Sequence, residues 1–434
     1  MFERQKNALA VALLAAACVV PGVVQAQGRA LPRWTEEWAA RGLTSSVSAS
    51  GLWIGDVAGG LKQGGVYNTL GTATFEADLE KLTGGWHGAS AGVDLYWIRG
   101  KSASWYFVGD ALTVSNLDGF DSIRLYQVWL QQEWAEGRVS LRAGSLAADE
   151  EFAGTESGGM FSNGAFGWIA GIGANIVNGG PIYYAPAPGA RLAVKPAESW
   201  TVQAAIYDGD SFDSPGGDPE VNSHGLHFAM NSAQGSFAIA ELSHDWQADP
   251  NAPLPGSARF GLWRHSADFE DQWADANGAS FALSGEAPAV HRGNRGWYGA
   301  LEQRVWTERG SESQGLTGWL RVAGAPAERS AVEWSTDAGV RWAGLIPGRD
   351  DDAFGVGVAT AYVSRAAQRS QLDAWSRDGE SGVLPDFERV VEATYQWQLG
   401  ERWIVAPGVQ WVQHPGLSAE TPNAWVPSLR VSFE

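Results

Sequence analysis

The sequence predicts an all-β protein: a transmembrane antiparallel β-barrel of about 16 strands with a short N-terminal helical segment. Three observations predict it. Only 18 % of the 434 residues are charged, yet 11 % are aromatic, 55 are Gly and 23 are Trp. Segment after segment alternates apolar and polar residues with a period of two, as half-buried strands do. The apolar side of these segments also carries tryptophans at a spacing that fits a membrane. The aromatic content argues against disorder. No stretch reaches the roughly 20 apolar residues a membrane helix needs, and one cysteine, Cys18, cannot build a disulfide framework or a multi-cysteine metal site.

The N-terminus reads as an export signal, residues 1–26. Arg4 and Lys6 precede an apolar run from Ala8 to Val20, and Val24-Gln25-Ala26 places small residues where a signal peptidase cuts. Removing 26 residues, with two basic side chains and one acidic, takes the chain from 434 to 408 residues and from −19 to −20 in formal charge. That balance argues against nucleic acid as a partner and against a pore for anions; equally, the charge would serve only to keep exposed loops soluble. Residues 27–48 form an N-terminal periplasmic segment, in which Trp34 to Arg41 is helix-compatible with Trp34 and Trp38 on one side; it is expected to cap or plug the periplasmic mouth. Residues 49–434 are assigned to the barrel.

The strands follow. Thr72, Thr74, Glu76, Asp78 and Glu80 alternate with Ala73, Phe75, Ala77 and Leu79. Glu392, Thr394, Gln396 and Gln398 alternate with Val391, Ala393, Tyr395, Trp397 and Leu399, and Ser428, Arg430 and Ser432 alternate with Pro427, Leu429, Val431 and Phe433. Tight turns at Glu136-Gly137 and at 399–402 contrast with long polar stretches at 208–222 and 364–388. The apolar face meets lipid for three reasons. Segments of about ten residues suit a tilted membrane strand. Trp403 and Trp411 share a face eight positions apart, about 26 Å at roughly 3.3 Å per residue, near the separation of two aromatic girdles. The opposite face is too polar for the dry interior of a sandwich. Pro407 lies within a strand, where it removes a ladder donor. At roughly 25 residues per strand and connection the chain yields about sixteen strands, enough to leave an aqueous channel.

Blocks of residues then carry a resemblance. Ala77-Asp78-Leu79-Glu80-Lys81-Leu82 with Gly85-Trp86 is followed by Ile123-Arg124-Leu125-Tyr126 and Val128-Trp129-Leu130-Gln131-Gln132. Ser140-Leu141-Arg142-Ala143-Gly144 leads to Glu150-Glu151-Phe152, then Phe161-Ser162-Asn163, Ala165-Phe166-Gly167, Pro188-Gly189-Ala190-Arg191-Leu192, and Pro347-Gly348-Arg349 with Asp351-Asp352. In this order, from about Trp34 to the C-terminus, the chain resembles the carbohydrate-selective, OprB-like porins of Gram-negative outer membranes. The resemblance implies a sixteen-stranded outer-membrane barrel passing glucose-like monosaccharides by diffusion, without cofactor or covalent chemistry; monomer and homotrimer both stay open. Ser145 stands where the family tends to Gln, Tyr184 where it tends to Pro, and the chain ends Phe433-Glu434 rather than on an aromatic residue.

A sugar channel needs weak, repeated contacts, since a tightly held solute does not leave. Arg and carboxylates match hydroxyls, and aromatic rings match the CH face of a sugar. Arg142, Glu150, Glu151, Asn163 and Arg191 are the richest such cluster, with Glu150 and Glu151 expected in a loop folded into the lumen; equally, these residues would pair to hold that loop to the wall. Strand parity adds Trp129, beside Gln127 and Gln131, Trp263, beside Arg259 and His265, and Trp319, beside Thr317 and Arg321; a one-residue slip would make them girdle residues instead. His224 and His227 lack a third metal ligand, and Asp208, Asp210, Asp213 and Asp218 miss calcium-loop spacing, so the 208–220 region reads as an exposed acidic loop and no metal is assigned. Small neutral sugars and outer-membrane lipid are the expected partners. A general or cation-preferring pore, an outer-membrane barrel lipase and a secreted β-rich lectin are the competing readings.

Overall fold

The computed structural model describes residues 33–433 apart from 215, 229, 231–233, 247–253 and 312; the export signal lies outside them. Sixteen strands run β1 (Leu43–Asp56), β2 (Gly64–Asp78), β3 (Ala89–Arg99), β4 (Ser122–Trp134), β5 (Val139–Leu146), β6 (Ala187–Ala197), β7 (Trp200–Asp208) and β8 (Ser236–Asp245), then β9 (Gly256–Asp275), β10 (Pro288–Thr307), β11 (Gly315–Gly324), β12 (Val332–Ala343), β13 (Ala353–Val363), β14 (Phe387–Leu399), β15 (Trp403–Gln413) and β16 (Ala424–Phe433). Each pairs antiparallel with its sequence neighbours, and β1 pairs with β16, so the sheet closes into a barrel and has no edge to protect. β1 begins at Leu43, within the stretch expected to precede the barrel.

Alternation decides what faces what. Phe75, Ile206, Phe260, Leu320, Trp397 and Leu429 are exposed large apolar residues on the outer surface, while their strand neighbours Glu76, Tyr207, Arg321 and Gln396 point inward. Lipid replaces water on that surface. Pro407 sits on it: the β14–β15 ladder pairs Thr394 with Gly408 and Trp397 with Val405 but skips the two positions between, the local cost of a residue without an N–H.

One end of the barrel has short connections, 135–138, 198–199 and 400–402 among them, and the other has long ones, 100–121, 147–186, 209–235 and 364–386. The long-loop end is extracellular by the rule for bacterial barrels. At the periplasmic end, helix α1 (Arg33–Ala40) brings Trp38 beside Leu43, Phe75, Ala77 and Val93. Phe75 faces outward, so the helix stands at the outer rim instead of plugging the mouth; its exposed Trp38 follows the apolar foot of β1 to β3. The 364–388 stretch, expected as loop, holds helix α2 (Arg365–Asp378). Ser364 caps its first turn through Ala367 N–H, and Gly379 ends it in the left-handed region. The helix rests on the protruding β9–β10 hairpin: Trp273 Nε1 donates to Asp373 at 2.7 Å, and Arg369 lies 3.6 Å over the Trp273 ring.

Candidate functional site

The 147–186 connection turns into the lumen and, with the strands on either side of it, forms the candidate site. Its apolar residues pack on the inner wall in two clusters. Met160, Phe161 and Phe166 meet Trp319, Val390 and Val412; Phe152, Trp168, Ile169 and Ile172 meet Tyr207, Phe237, Trp263 and Tyr298. Apolar packing alone would leave the connection's backbone polar groups unsatisfied, which is costly away from water. The wall supplies the partners. Glu241 accepts from Ala153 N–H at 2.9 Å, Glu302 from Glu156 and Ser157 N–H at 2.8 Å each, and Glu392 from Ser162 and Asn163 N–H at 2.8 and 2.9 Å. Fully buried Arg321 works in the opposite sense. Its Nε donates to Asp337, and Nη1 and Nη2 donate to the carbonyls of Ala153, Gly167, Ala165 and Phe166 at 2.7–3.0 Å. All five guanidinium N–H groups thereby have acceptors, which offsets the several kcal/mol or so that burying a cation costs.

Arg142 and Arg191 are directly opposed on β5 and β6, a like-charge pairing that is unfavourable by itself. Glu151 lies between them. Its carboxylate accepts from Arg142 Nη1 at 3.0 Å and from Arg191 Nε at 2.8 Å and Nη2 at 3.2 Å. Arg142 Nε also donates to Gln131, and its guanidinium lies 4.3 Å over the Trp129 ring. Arg142 and Glu151 keep side-chain exposures of 23 % and 13 %. Glu150 is exposed beside them and accepts from Gln127 Nε2 at 2.7 Å. Four of the five clustered residues expected from sequence are thus together, paired and partly open to the bore. Asn163 is not with them. It is fully buried near the opposite wall, donating to Gln410 on β15 and accepting from Ala165 N–H.

The three tryptophans all face inward, but each lies across a glycine of the neighbouring strand: Trp129 over Gly92, Trp263 over Gly296, Trp319 over Gly339. Trp263 and Trp319 are 2 % and 4 % exposed, covered by the inward connection, with Trp319 against Phe161 and Phe166. Trp129 remains half-buried with Arg142 on one face. Below the connection, Glu156, Glu302, Arg304, Thr317 and Arg341 line a polar cavity of about 260 Å³. Sequence reasoning missed Glu241, Glu302 and Arg321 as anchors. Parity put Arg321 on the inner face with Trp319, and nothing local indicated that any of the three would grip a distant main chain.

The expected acidic loop is only partly exposed. Asp208 and Asp210 are buried, and Asp210 accepts from Asn178 Nδ2 at 2.6 Å and from Phe212 and Ser214 N–H, binding its connection to the inward one. His224 Nδ1 contacts Ile123 O. Among the described residues no cluster of His, Cys, Asp and Glu is arranged to hold a metal.

A closed sixteen-stranded barrel, apolar outside, charged within and narrowed by its own connection, is a porin. The chain belongs to the carbohydrate-selective porin family, OprB family, whose pattern matches residues 62–434. It is 25 % identical over 403 residues to Porin B of Pseudomonas aeruginosa, covering 87 % of this chain and 85 % of that one. It is 21 % identical over 409 residues to the putative porin QuiX of Acinetobacter baylyi, covering 86 % and 85 %. Its fold matches Pseudomonas putida OprB in a high-pH structure, with TM-score 0.80 and 22 % identity over 92 % of this chain and 95 % of that one. The protein is a sugar-conducting porin of the Gram-negative outer membrane.

Proposed function

We propose that neutral monosaccharides of the glucose type are sorted at Arg142, Glu150, Glu151 and Arg191, with Trp129 holding the Arg142 guanidinium flat, and that they pass by diffusion without covalent chemistry. The observation that supports this most directly is the Glu151 carboxylate shared by two arginines while Glu150 stays open to the bore. Two guanidinium groups and two carboxylates balance in charge, which favours neither ion sign. Their remaining lone pairs and N–H groups offer a sugar hydroxyl exchangeable partners, each weak enough to let go. Asn163, Trp263 and Trp319 act in this reading as supports for the connection. Replacing Arg142 and Glu151 separately by Ala and measuring proteoliposome swelling with a size series of sugars tests it; unchanged influx and unchanged selectivity in both variants would overturn it.

The excess of acidic residues, −19 overall, favours a second reading, a cation-preferring general pore. A reversal potential under a salt gradient separates the two: near zero for the first, strongly cationic for the second.

A further inference from the structure

The outer wall has a dent near its extracellular end. With Arg142 and Arg191 inward, Ala143, Ser145, Pro188 and Ala190 face outward, paired as Ala143 with Ala190 and Ser145 with Pro188. Four small side chains thus stand side by side where Val128 and Ile206 project on either flank, Val128 opposite Ser145 and Ile206 opposite Ala190. The result is an apolar trough of about 730 Å³, roofed by Phe228 and Met230 from the 209–235 connection.

That connection lies outside the barrel here for a physical reason. β5 pairs with β4 only up to Ser145 opposite Val128, so the upper rungs of β4 lose their neighbour when the chain turns inward. The 209–235 connection takes the place of β5: Leu125 N–H donates to His224 O at 3.0 Å and Ser122 Oγ to Ser223 O at 2.5 Å. Inside the barrel the same connection braces the inward one, with Ser211 Oγ donating to Gly180 O at 3.0 Å and the Phe212 ring parallel to Tyr184.

We propose that the trough holds one acyl chain of an outer-leaflet glycolipid, and that this occupant steadies the brace on the inward connection. The trough is continuous with the lipid-facing surface through Ile206 and lies in the extracellular half, where the Gram-negative outer leaflet is glycolipid. Its upper end is polar, lined by Asp208 and Ser236, and so matches the hydroxyl- and amide-bearing end of an acylated sugar better than a phospholipid tail region, which lacks such groups.

The test is native mass spectrometry of the full barrel, titrated with hexa-acylated lipid A or with phosphatidylethanolamine. Ala190→Trp fills the floor and Phe228→Ser removes the roof; the second lies in a surface connection and serves if the first does not fold. The wild type is expected to retain one lipid A per chain and to lose about tenfold in affinity with either variant, the equivalent of one large apolar contact. Equal retention by wild type and variants, or equal binding of phosphatidylethanolamine, overturns the proposal. So does a change of oligomeric state in Ala190→Trp at unchanged lipid A retention, which would assign the trough to a second copy of the chain.

Discussion

Arg142 and Arg191 face each other across one rung of the β5–β6 ladder, and the Glu151 carboxylate bridges them from a different segment of the chain. The pairing fixes the inward connection at its start and leaves partly exposed charge facing the lumen. Glu151→Gln keeps the shape and removes the charge. The variant is expected to lose about 1–3 kcal/mol of stability, since two partly buried guanidinium groups lose their shared acceptor, and its reversal potential in planar bilayers should move toward anions.

Arg321→Met deletes four hydrogen bonds to main-chain carbonyls and takes the cation from the Asp337 carboxylate, leaving it the Trp319 Nε1 donor at 3.1 Å. A loss of about 3–5 kcal/mol is expected from breaking a buried pair, seen as a lower Tm in detergent. The size cut-off in liposome swelling should rise as the connection leaves the wall.

Gly339→Ala would place a methyl 2.1 Å from the Trp319 ring. Overpacking of this kind costs roughly 1–3 kcal/mol. Trp319 in turn supports Phe161 and Phe166, so raised open-channel noise should accompany the lower Tm. An unchanged Tm would mean that the ring does not occupy the place over Gly339.

Asp149, in the inward connection, accepts from Tyr183 N–H at 3.0 Å, and burial pushes its carboxyl up to about 7. The folded protein therefore holds a proton that the unfolded chain releases near pH 4, and this contribution to stability is full below about pH 4 and is lost as pH rises to about 7. Hydrogen-exchange protection factors at 148–151, with the intrinsic pH dependence of amide exchange divided out, should be higher at pH 5 than at pH 8, and Asp149→Asn should flatten the difference.

Period-two alternation was enough to read the barrel, because lipid and lumen impose opposite chemistry on adjacent residues: Phe75 and Glu76, Trp397 and Gln396 separate as their chemistry requires. The cluster at Arg142, Glu150, Glu151 and Arg191 was legible from residue type and block order. Asn163 was not, since its neighbours Glu392 and Gln410 lie more than 200 positions away. Trp263 and Trp319 were placed on the correct side of the wall, but their burial depends on how one long connection folds, which strand parity does not contain. Helix α2 carried ordinary signals, Ser364 before it and Gly379 after it, inside a stretch whose polarity read as loop.

The wall grips the crossing segment by its amides and carbonyls: Glu241, Glu302, Glu392 and Arg321 touch main chain. A clamp of that kind is indifferent to side-chain identity along much of the strip it holds. The side chains along this crossbar can therefore be exchanged, and the lining of the bore with them, while the fastening to the wall stays in place.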